Sequence, residues 1–192
     1  MIQNNLKNIF ENINEGSVLA FYQKKWYLQL IPFFTREVKK EFAPQHCGIC
    51  YEIKKRQNEV HFMLSEQSFA GGRYRGISII KKNDVYVITD KYFKKLDEIR
   101  MFNVNMNFQQ VNKGILDAKK QIGKKYGFTK LLLGFEFLEK VIPKFIFKRI
   151  NKKEGLRVCS THIAYNLKHA GFSIPDNDFL TPLEITKLDI YV

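Results

Sequence analysis

Residues 46–66 read HCGICYEIKKRQNEVHFMLSE, and the alternation within this stretch decides the fold class. Apolar and polar side chains alternate along His46–Ile53 and again along Glu59–Glu66, which is the period of a β-strand. The run between them, Lys54–Asn58, is polar and turn-prone. Two alternating runs joined by a short polar turn predict a pair of antiparallel strands.

The same kind of pattern extends the prediction outward from this hairpin. Further strands are expected at Ser17–Tyr22, Gly76–Ile80 and Asp84–Thr89, with a turn at Gly71-Gly72. Apolar residues at helical spacing predict helices at residues 1–15, from about Phe108 to Gly123, at residues 128–150, and from Cys159 to Ala170. Strands followed by helices predict the α+β class, in one domain that spans residues 1–192.

The composition indicates a globular chain with an excess of positive charge. Of the 192 residues, 45% are hydrophobic, and 32 Lys+Arg against 19 Asp+Glu give a formal net charge of +13. Such a chain is too apolar to be disordered. The charge predicts anionic partners: nucleic acid, an acidic polymer such as cell wall, or a membrane surface. Lysine pairs are spread along the whole chain, which is typical of a solvated surface.

The N-terminus and the most apolar segment bear on location. The N-terminal residues MIQNNLKNIF lack the basic and apolar regions of a signal peptide, so a cytoplasmic location is the default expectation. Association with a virus particle and delivery to the cell envelope are the alternatives. The segment Leu131–Ile150 is interrupted by charged residues and by Pro143, whereas a bilayer span needs about 20 mostly apolar residues. No transmembrane segment is therefore expected.

Three cysteines are too few for a disulfide framework, and they indicate a reducing compartment. Cys47 and Cys50 form a C-x-x-C motif, but they lie in a predicted strand rather than at a helix start. On a strand these two side chains point to opposite faces, so a shared disulfide or metal is disfavoured. Both are expected to be small buried side chains.

Cys159 stands where a coil turns into a predicted helix. Unpaired backbone N–H groups at a helix start favour an anion, so a thiol there is a candidate nucleophile; the alternative is that Cys159 merely packs in the core. Among the four histidines, His46 is the first candidate for its base. It is predicted to share a bare strand face with Gly48 and Cys50, a face that would suit packing against the helix start.

Five segments in order resemble the circularly permuted papain-like cysteine peptidases and amidases of the NlpC-type superfamily, in the YaeF/YiiX-like branch. Each segment is short, and together they run from residue 16 to about residue 172. The segments are Gly16-Ser-Val-Leu-Ala-Phe21, His46-Cys-Gly-Ile49, Glu59–Glu66, Gly123-Lys-Lys-Tyr126 and Cys159-Ser-Thr-His-Ile163. The resemblance implies an antiparallel sheet packed against helices, with the histidine strand before the cysteine helix.

The resemblance also implies roles for individual residues. Cys159 would be the nucleophile and His46 the general base and acid. A polar residue on the next strand would orient the imidazole; Glu66 is the first choice, with Ser65 and His61 as alternatives because the strand register is open.

Two further residues are implied at the substrate or at the oxyanion. These are Tyr126, whose family counterpart lies beside the thiol, and Ser160. The chain departs from the family pattern at four positions, where Asp, Ser, Val and Glu are usual: Ser17, Gln45, Cys47 and Thr161.

The implied chemistry is acyl transfer through a thioester, on a cell-wall peptide, an amide or a lipid ester, by a hydrolase or acyltransferase. It needs no metal and no organic cofactor. The alternative function is a catalytically retired basic scaffold that binds nucleic acid or an anionic polymer, as in a phage or viral particle.

Overall fold

A computed structural model describes residues 2–23, 44–68, 70–125, 158–175 and 180–192. Its helices are α1 (Ile2–Asn12), α2 (Phe108–Lys120), α3 (Cys159–His169) and the short α4 (Pro182–Ile185). Its strands are β1 (Val18–Tyr22), β2 (His46–Arg56), β3 (Glu59–Ser68), β4 (Gly71–Lys82), β5 (Val85–Ile88) and β6 (Glu98–Phe102). A single 3-10 turn, Phe93–Lys95, lies between β5 and β6.

The six strands form one antiparallel sheet in the order β5-β4-β3-β2-β1-β6. The hairpin predicted from residues 46–66 is the β2–β3 pair, and it lies in the middle of the sheet. The expected α+β class is therefore confirmed. The expectations on Tyr126 and on the helix at 128–150 concern residues outside the described ranges.

The register of the middle strands determines which side chains share a face. His46 pairs with Phe21 of β1, and Gly48 pairs with Glu66 of β3. Residues that pair directly across two strands point to the same face, and so do residues two apart on one strand. His46, Gly48 and Glu66 therefore lie on one face, whereas Cys47 points to the other.

Each face of the sheet carries its own hydrophobic core. On the His46 face, α1 and the 3-10 turn pack on the sheet; this core includes Leu6, Ile9, Phe21, Cys50, Phe62, Leu64 and Phe93. On the Cys47 face, α2 and α3 cover the sheet; this core includes Val18, Cys47, Ile49, Tyr51, Val111, Cys159, Ile163 and Leu167. The sheet is thus the middle of three layers.

The expectation that α3 would pack on the face of His46, Gly48 and Cys50 is wrong. Cys159 belongs to the core on the opposite face, with Cys47. The bare position at Gly48 is filled from the neighbouring strand instead: a Cβ at Gly48 would lie 2.8 Å from Leu64 Cδ1. A glycine in a strand admits a close neighbour, and here that neighbour is a side chain of the same sheet.

Three boundaries also differ from the sequence-based expectation. Helix α1 ends at Asn12 rather than at residue 15. Gly71 and Gly72, predicted as a turn, begin β4, because residues 71–80 pair continuously with β3. Strand β6 was not predicted at all, although Ile99 is buried and Arg100 exposed, as in an alternating strand. No helix in the described part of the chain is long and apolar enough to cross a bilayer.

Candidate active site

Helix α3 begins at Cys159 without a side-chain cap. Its N-cap residue, Val158, has no polar side-chain atom and makes no capping hydrogen bond. The Thr161 hydroxyl instead accepts a hydrogen bond from the Val158 N–H at 3.0 Å. A helix start usually carries Ser, Thr, Asp or Asn, whose oxygen occupies the first-turn N–H groups. Here the first-turn N–H groups of the helix that starts at Cys159 have no side-chain acceptor from the N-cap residue.

His46, the first residue of β2, lies between Cys159 and Glu66. Its Nε2 is 2.9 Å from Glu66 Oε2, and its ring stacks on Phe21 with the ring centroids 5.5 Å apart. The imidazole also makes a side-chain hydrogen bond with Cys159. Because Nε2 faces the carboxylate, Nδ1 is the nitrogen that is left for the thiol. The strand end thus holds the imidazole by a carboxylate on one side and an aromatic ring on another.

Glu66 is itself held by a second residue. Arg75 Nε donates to Glu66 Oε1 at 2.9 Å, so that the two carboxylate oxygens bind different partners. Arg75 Nη1 donates to Asp90, and its guanidinium carbon lies 5.3 Å from the centroid of the Phe93 ring. The carboxylate therefore cannot rotate without breaking an ion pair, and this fixes the orientation of the imidazole.

The electrostatics of the three groups favour a charged pair. Hydrogen bonds from Cys47 and His46 lower the pKa of the Cys159 thiol well below its usual value, against burial, which raises it. Burial lowers the pKa of His46, but hydrogen bonds to Cys159 and Glu66 raise it to about 10. Burial raises the pKa of Glu66, yet the hydrogen bond to His46 and the charge of Arg75 bring it down to about 2. These shifts favour a thiolate on Cys159 beside an imidazolium on His46.

Cys47 contributes a second sulfur to this site. Both its thiol and its backbone make hydrogen bonds to the Cys159 side chain. Cys50, three residues along the same strand, belongs to the core on the opposite face. The sequence-based view of Cys47 and Cys50 as buried and not paired with each other agrees with this arrangement, since both are fully buried and both are free thiols.

Ser65 and His61, the alternatives to Glu66 as the residue that orients His46, have other hydrogen-bond partners. The Ser65 hydroxyl lies 2.8 Å from His162 Nε2, on the face opposite to His46. His162 is fully buried in α3 and also contacts Asn166. His61 Nδ1 lies 3.0 Å from the Ser78 hydroxyl, farther along β3. Glu66 is thus the one of the three that reaches His46.

Comparison of this chain with known proteins does not assign it to a family. No family model, curated protein or solved structure matches this chain. The arrangement of the site is therefore interpreted from its own chemistry.

Three residues of the site were missed in the sequence. Cys47 was missed because the cysteine helix was expected on the wrong face. Arg75 was missed because the misplaced turn at Gly71-Gly72 shortened β4 and left its register open. Tyr92 follows β5 in a loop, so no sequence spacing relates it to Cys159. Burial and the nearby charges of Glu66 and Cys159 raise the pKa of Tyr92 to about 12. The residue is 43% exposed.

The structure describes only one of the two residues that the resemblance implies at the substrate or oxyanion. Tyr126 lies outside the described ranges. Ser160 is fully buried in the first turn of α3, and its hydroxyl makes no hydrogen bond within the described residues. Those residues also contain no group of three or more His, Cys, Asp or Glu side chains arranged to hold a metal ion.

Proposed function

We propose that this protein is a cysteine hydrolase or acyltransferase in which Cys159, His46 and Glu66 act as nucleophile, general acid-base and orienting residue. The observation that carries the proposal is the continuous chain of hydrogen bonds from Cys159 through His46 to Glu66, with the sulfur at an uncapped helix start. Nucleophile, base and orienting group in hydrogen-bond contact form the arrangement that acyl transfer needs.

In the first half of the reaction, the Cys159 thiolate attacks the carbonyl carbon of a peptide, amide or ester. Backbone N–H groups of the first turn of α3 donate to the developing oxyanion, because Val158 leaves them without a side-chain acceptor. The His46 imidazolium then gives its proton to the leaving amine or alcohol. The product is a thioester on Cys159.

In the second half, neutral His46 takes a proton from a water or alcohol molecule that attacks the thioester. The acyl group leaves with the new nucleophile, and Cys159 returns as a thiolate beside the imidazolium. Glu66 and Arg75 remain charged throughout, since their role is to hold the imidazole in one orientation.

The fold that goes with this function is a circularly permuted papain-like domain. Two features support it: the strand that carries His46 precedes the helix that carries Cys159 in the chain, and the helix packs on an antiparallel sheet. The substrate class that we propose is a cell-wall peptide, an amide or a lipid ester, and the reaction needs no metal or organic cofactor.

The proposal is tested by trapping the thioester. The protein is mixed with p-nitrophenyl acetate, quenched in acid and digested, and the peptides are examined by mass spectrometry. We expect one acetyl group on the Cys159 peptide, none in Cys159→Ala, and acylation slower by about 100-fold or more in His46→Ala. Cys50→Ala is the matched control, because it removes a buried thiol on the other face and should acylate normally.

Equal acylation of all three cysteines, or unchanged acylation of Cys159 in His46→Ala, would contradict the proposal. A folded protein that forms no thioester would favour the alternative, a retired scaffold that uses its positive charge to bind nucleic acid or another anionic polymer.

A further inference from the structure

We propose that Cys47 and Cys159 form a reversible disulfide when the protein meets a hydroperoxide, so that Cys47 is the resolving thiol for the nucleophile. One part of the inference rests on the proposed function: if the protein is a hydrolase, the disulfide would inactivate it. The modification itself depends on the geometry of the two sulfurs and is measured without any substrate.

The two sulfurs are in direct contact. The Cys47 thiol makes a hydrogen bond to the side chain of Cys159, and the Cys47 backbone makes a second one. The two residues belong to the same hydrophobic core, one on β2 and one at the start of α3. The disulfide would therefore join two side chains that are already hydrogen-bonded within one core.

The reactivities of the two thiols are suited to oxidation followed by resolution. Cys159 has the lowered pKa, so it is the thiolate that attacks a peroxide first. Cys47 donates its S–H toward Cys159, so a thiol is present beside the oxidised sulfur as soon as it forms. Cys159 is 4% exposed, and the nearby Tyr92 is 43% exposed.

The steps balance as follows. The Cys159 thiolate takes one oxygen from hydrogen peroxide to become a sulfenic acid, and the departing hydroxide takes a proton from the His46 imidazolium to leave as water. The Cys47 sulfur then attacks the sulfenic sulfur; the S–S bond forms, the S–O bond breaks, and the Cys47 proton leaves with that oxygen as a second water. A dithiol reductant reverses the modification and is itself oxidised.

Cys50 provides an internal comparison. It lies on the same strand and is also fully buried, but burial raises the pKa of its thiol and it belongs to the other core. Peroxide should therefore leave Cys50 as a thiol under conditions that oxidise Cys159.

The experiment is a peroxide titration of the wild-type protein, Cys47→Ser and Cys50→Ser. Free thiols are counted after denaturation, and digests are examined by mass spectrometry without reductant. In the wild type, we expect the count to fall from three thiols to one, with the Cys47 and Cys159 peptides joined. Dithiothreitol should return all three. In Cys50→Ser the same pair should form.

In Cys47→Ser, Cys159 should instead gain two or three oxygen atoms and stay oxidised after dithiothreitol. The inference is overturned if the wild type accumulates the same sulfinic or sulfonic acid, or if Cys159 pairs with Cys50. It is also overturned if Cys47→Ser, shown to be folded by its circular dichroism, still recovers the Cys159 thiol. Because none of these readouts needs a substrate, failure of the proposed hydrolase and failure of the disulfide are separate outcomes.

Discussion

His46 has two partners whose charges both favour its protonated form. The thiolate of Cys159 and the carboxylate of Glu66 are both negative, and the imidazole lies between them with little exposure to water. Each partner alone would raise the pKa of His46, and together they bring it to about 10. The consequence is that the charges of its two partners favour the imidazolium form of His46 over the whole physiological range.

This charged pair predicts a distinctive pH dependence for the reactivity of Cys159. Alkylation by iodoacetamide should already be fast at neutral pH, because the thiolate forms well below the usual thiol pKa. A second rise is expected near pH 10, where His46 loses its proton and the sulfur becomes more basic. Rates are measured from pH 4 to 11 by mass spectrometry of the Cys159 peptide.

The variant Glu66→Gln tests the origin of the second rise. A folded-state pKa that is raised by a carboxylate falls when the carboxylate becomes an amide, so the upper inflection should move to lower pH. Cys50, whose thiol pKa is raised by burial, should stay unreactive and serves as the control within the same digest. A single inflection near the ordinary thiol pKa of about 8.5 would contradict the ion pair.

At the scale of elements, the start of α3 lacks a side-chain cap, and its first-turn N–H groups therefore have no acceptor from the N-cap residue. Val158 adopts the extended backbone of an N-cap residue but offers no side-chain oxygen. By contrast, α2 begins at a full capping box, in which the Asn107 side chain accepts from the Gln110 N–H at 3.0 Å. The same chain can therefore cap a helix, whereas Val158 gives no side-chain cap to the helix that begins at Cys159.

The variant Val158→Thr separates stability from reactivity at this helix. Thr has nearly the shape of Val and supplies the missing acceptor, so the free energy of unfolding should rise by about 0.5–2 kcal/mol. The same hydroxyl would occupy N–H groups that the oxyanion needs, so acetylation of Cys159 by p-nitrophenyl acetate should slow by about 10-fold or more. Urea unfolding and the acylation rate are measured on the same preparations.

The control for this variant is Asn107→Ala, which removes a cap far from the site. It should lower stability by about 0.5–2 kcal/mol and leave the acylation rate unchanged. Faster acylation in Val158→Thr would show that the first-turn N–H groups do not bind the oxyanion.

The central elements could be predicted from the sequence because their patterns are local. Alternation over residues 46–66 was sufficient for β2 and β3, and the helical spacing after Cys159 was sufficient for α3. What failed depends on contacts between elements. Leu64 of β3 fills the space above Gly48, and α3 packs on the other face of the sheet. The pattern of β2 alone cannot predict this, because it does not show which side chains of β3 lie beside it.

In the site, too, residues that follow local patterns could be predicted, whereas contacts between elements could not. His46 and Cys159 could be singled out because one opens a strand and the other opens a helix. Arg75 could not, because its contact with Glu66 requires the register of β3 against β4, which pairs Leu64 with Arg75. Tyr92 comes from a loop, where neither period nor register applies.

At the scale of the whole molecule, the net charge of +13 acts over longer distances than any single contact. Lysine pairs occur throughout the sequence rather than in one cluster. Such a charge steers a protein toward anionic surroundings but does not select a sequence or a structure in them. It is therefore compatible with an enzyme whose substrate lies in a cell wall or on a membrane.

This distribution predicts weak, non-specific binding to nucleic acid. Affinity for a short fluorescent DNA duplex, measured by anisotropy, should be independent of base sequence and should fall steeply between about 50 and 200 mM salt. Cys159→Ala should bind equally well, since this substitution removes no positive charge. Tight binding of one DNA sequence at about 200 mM salt would contradict this view and favour the retired scaffold.

The side chains of two consecutive residues of β2, His46 and Cys47, both contact Cys159, although alternation sends them to opposite faces of the sheet. The Cys159 sulfur thus has one partner from each face of the sheet, and both partners lie at the start of β2. An insertion or deletion of a single residue just after Cys47 would preserve both residues in the sequence, yet it would turn each of them to the other face. Evolution can exchange either residue alone by substitution, but a change in the length of this strand removes both partners of the nucleophile in a single event.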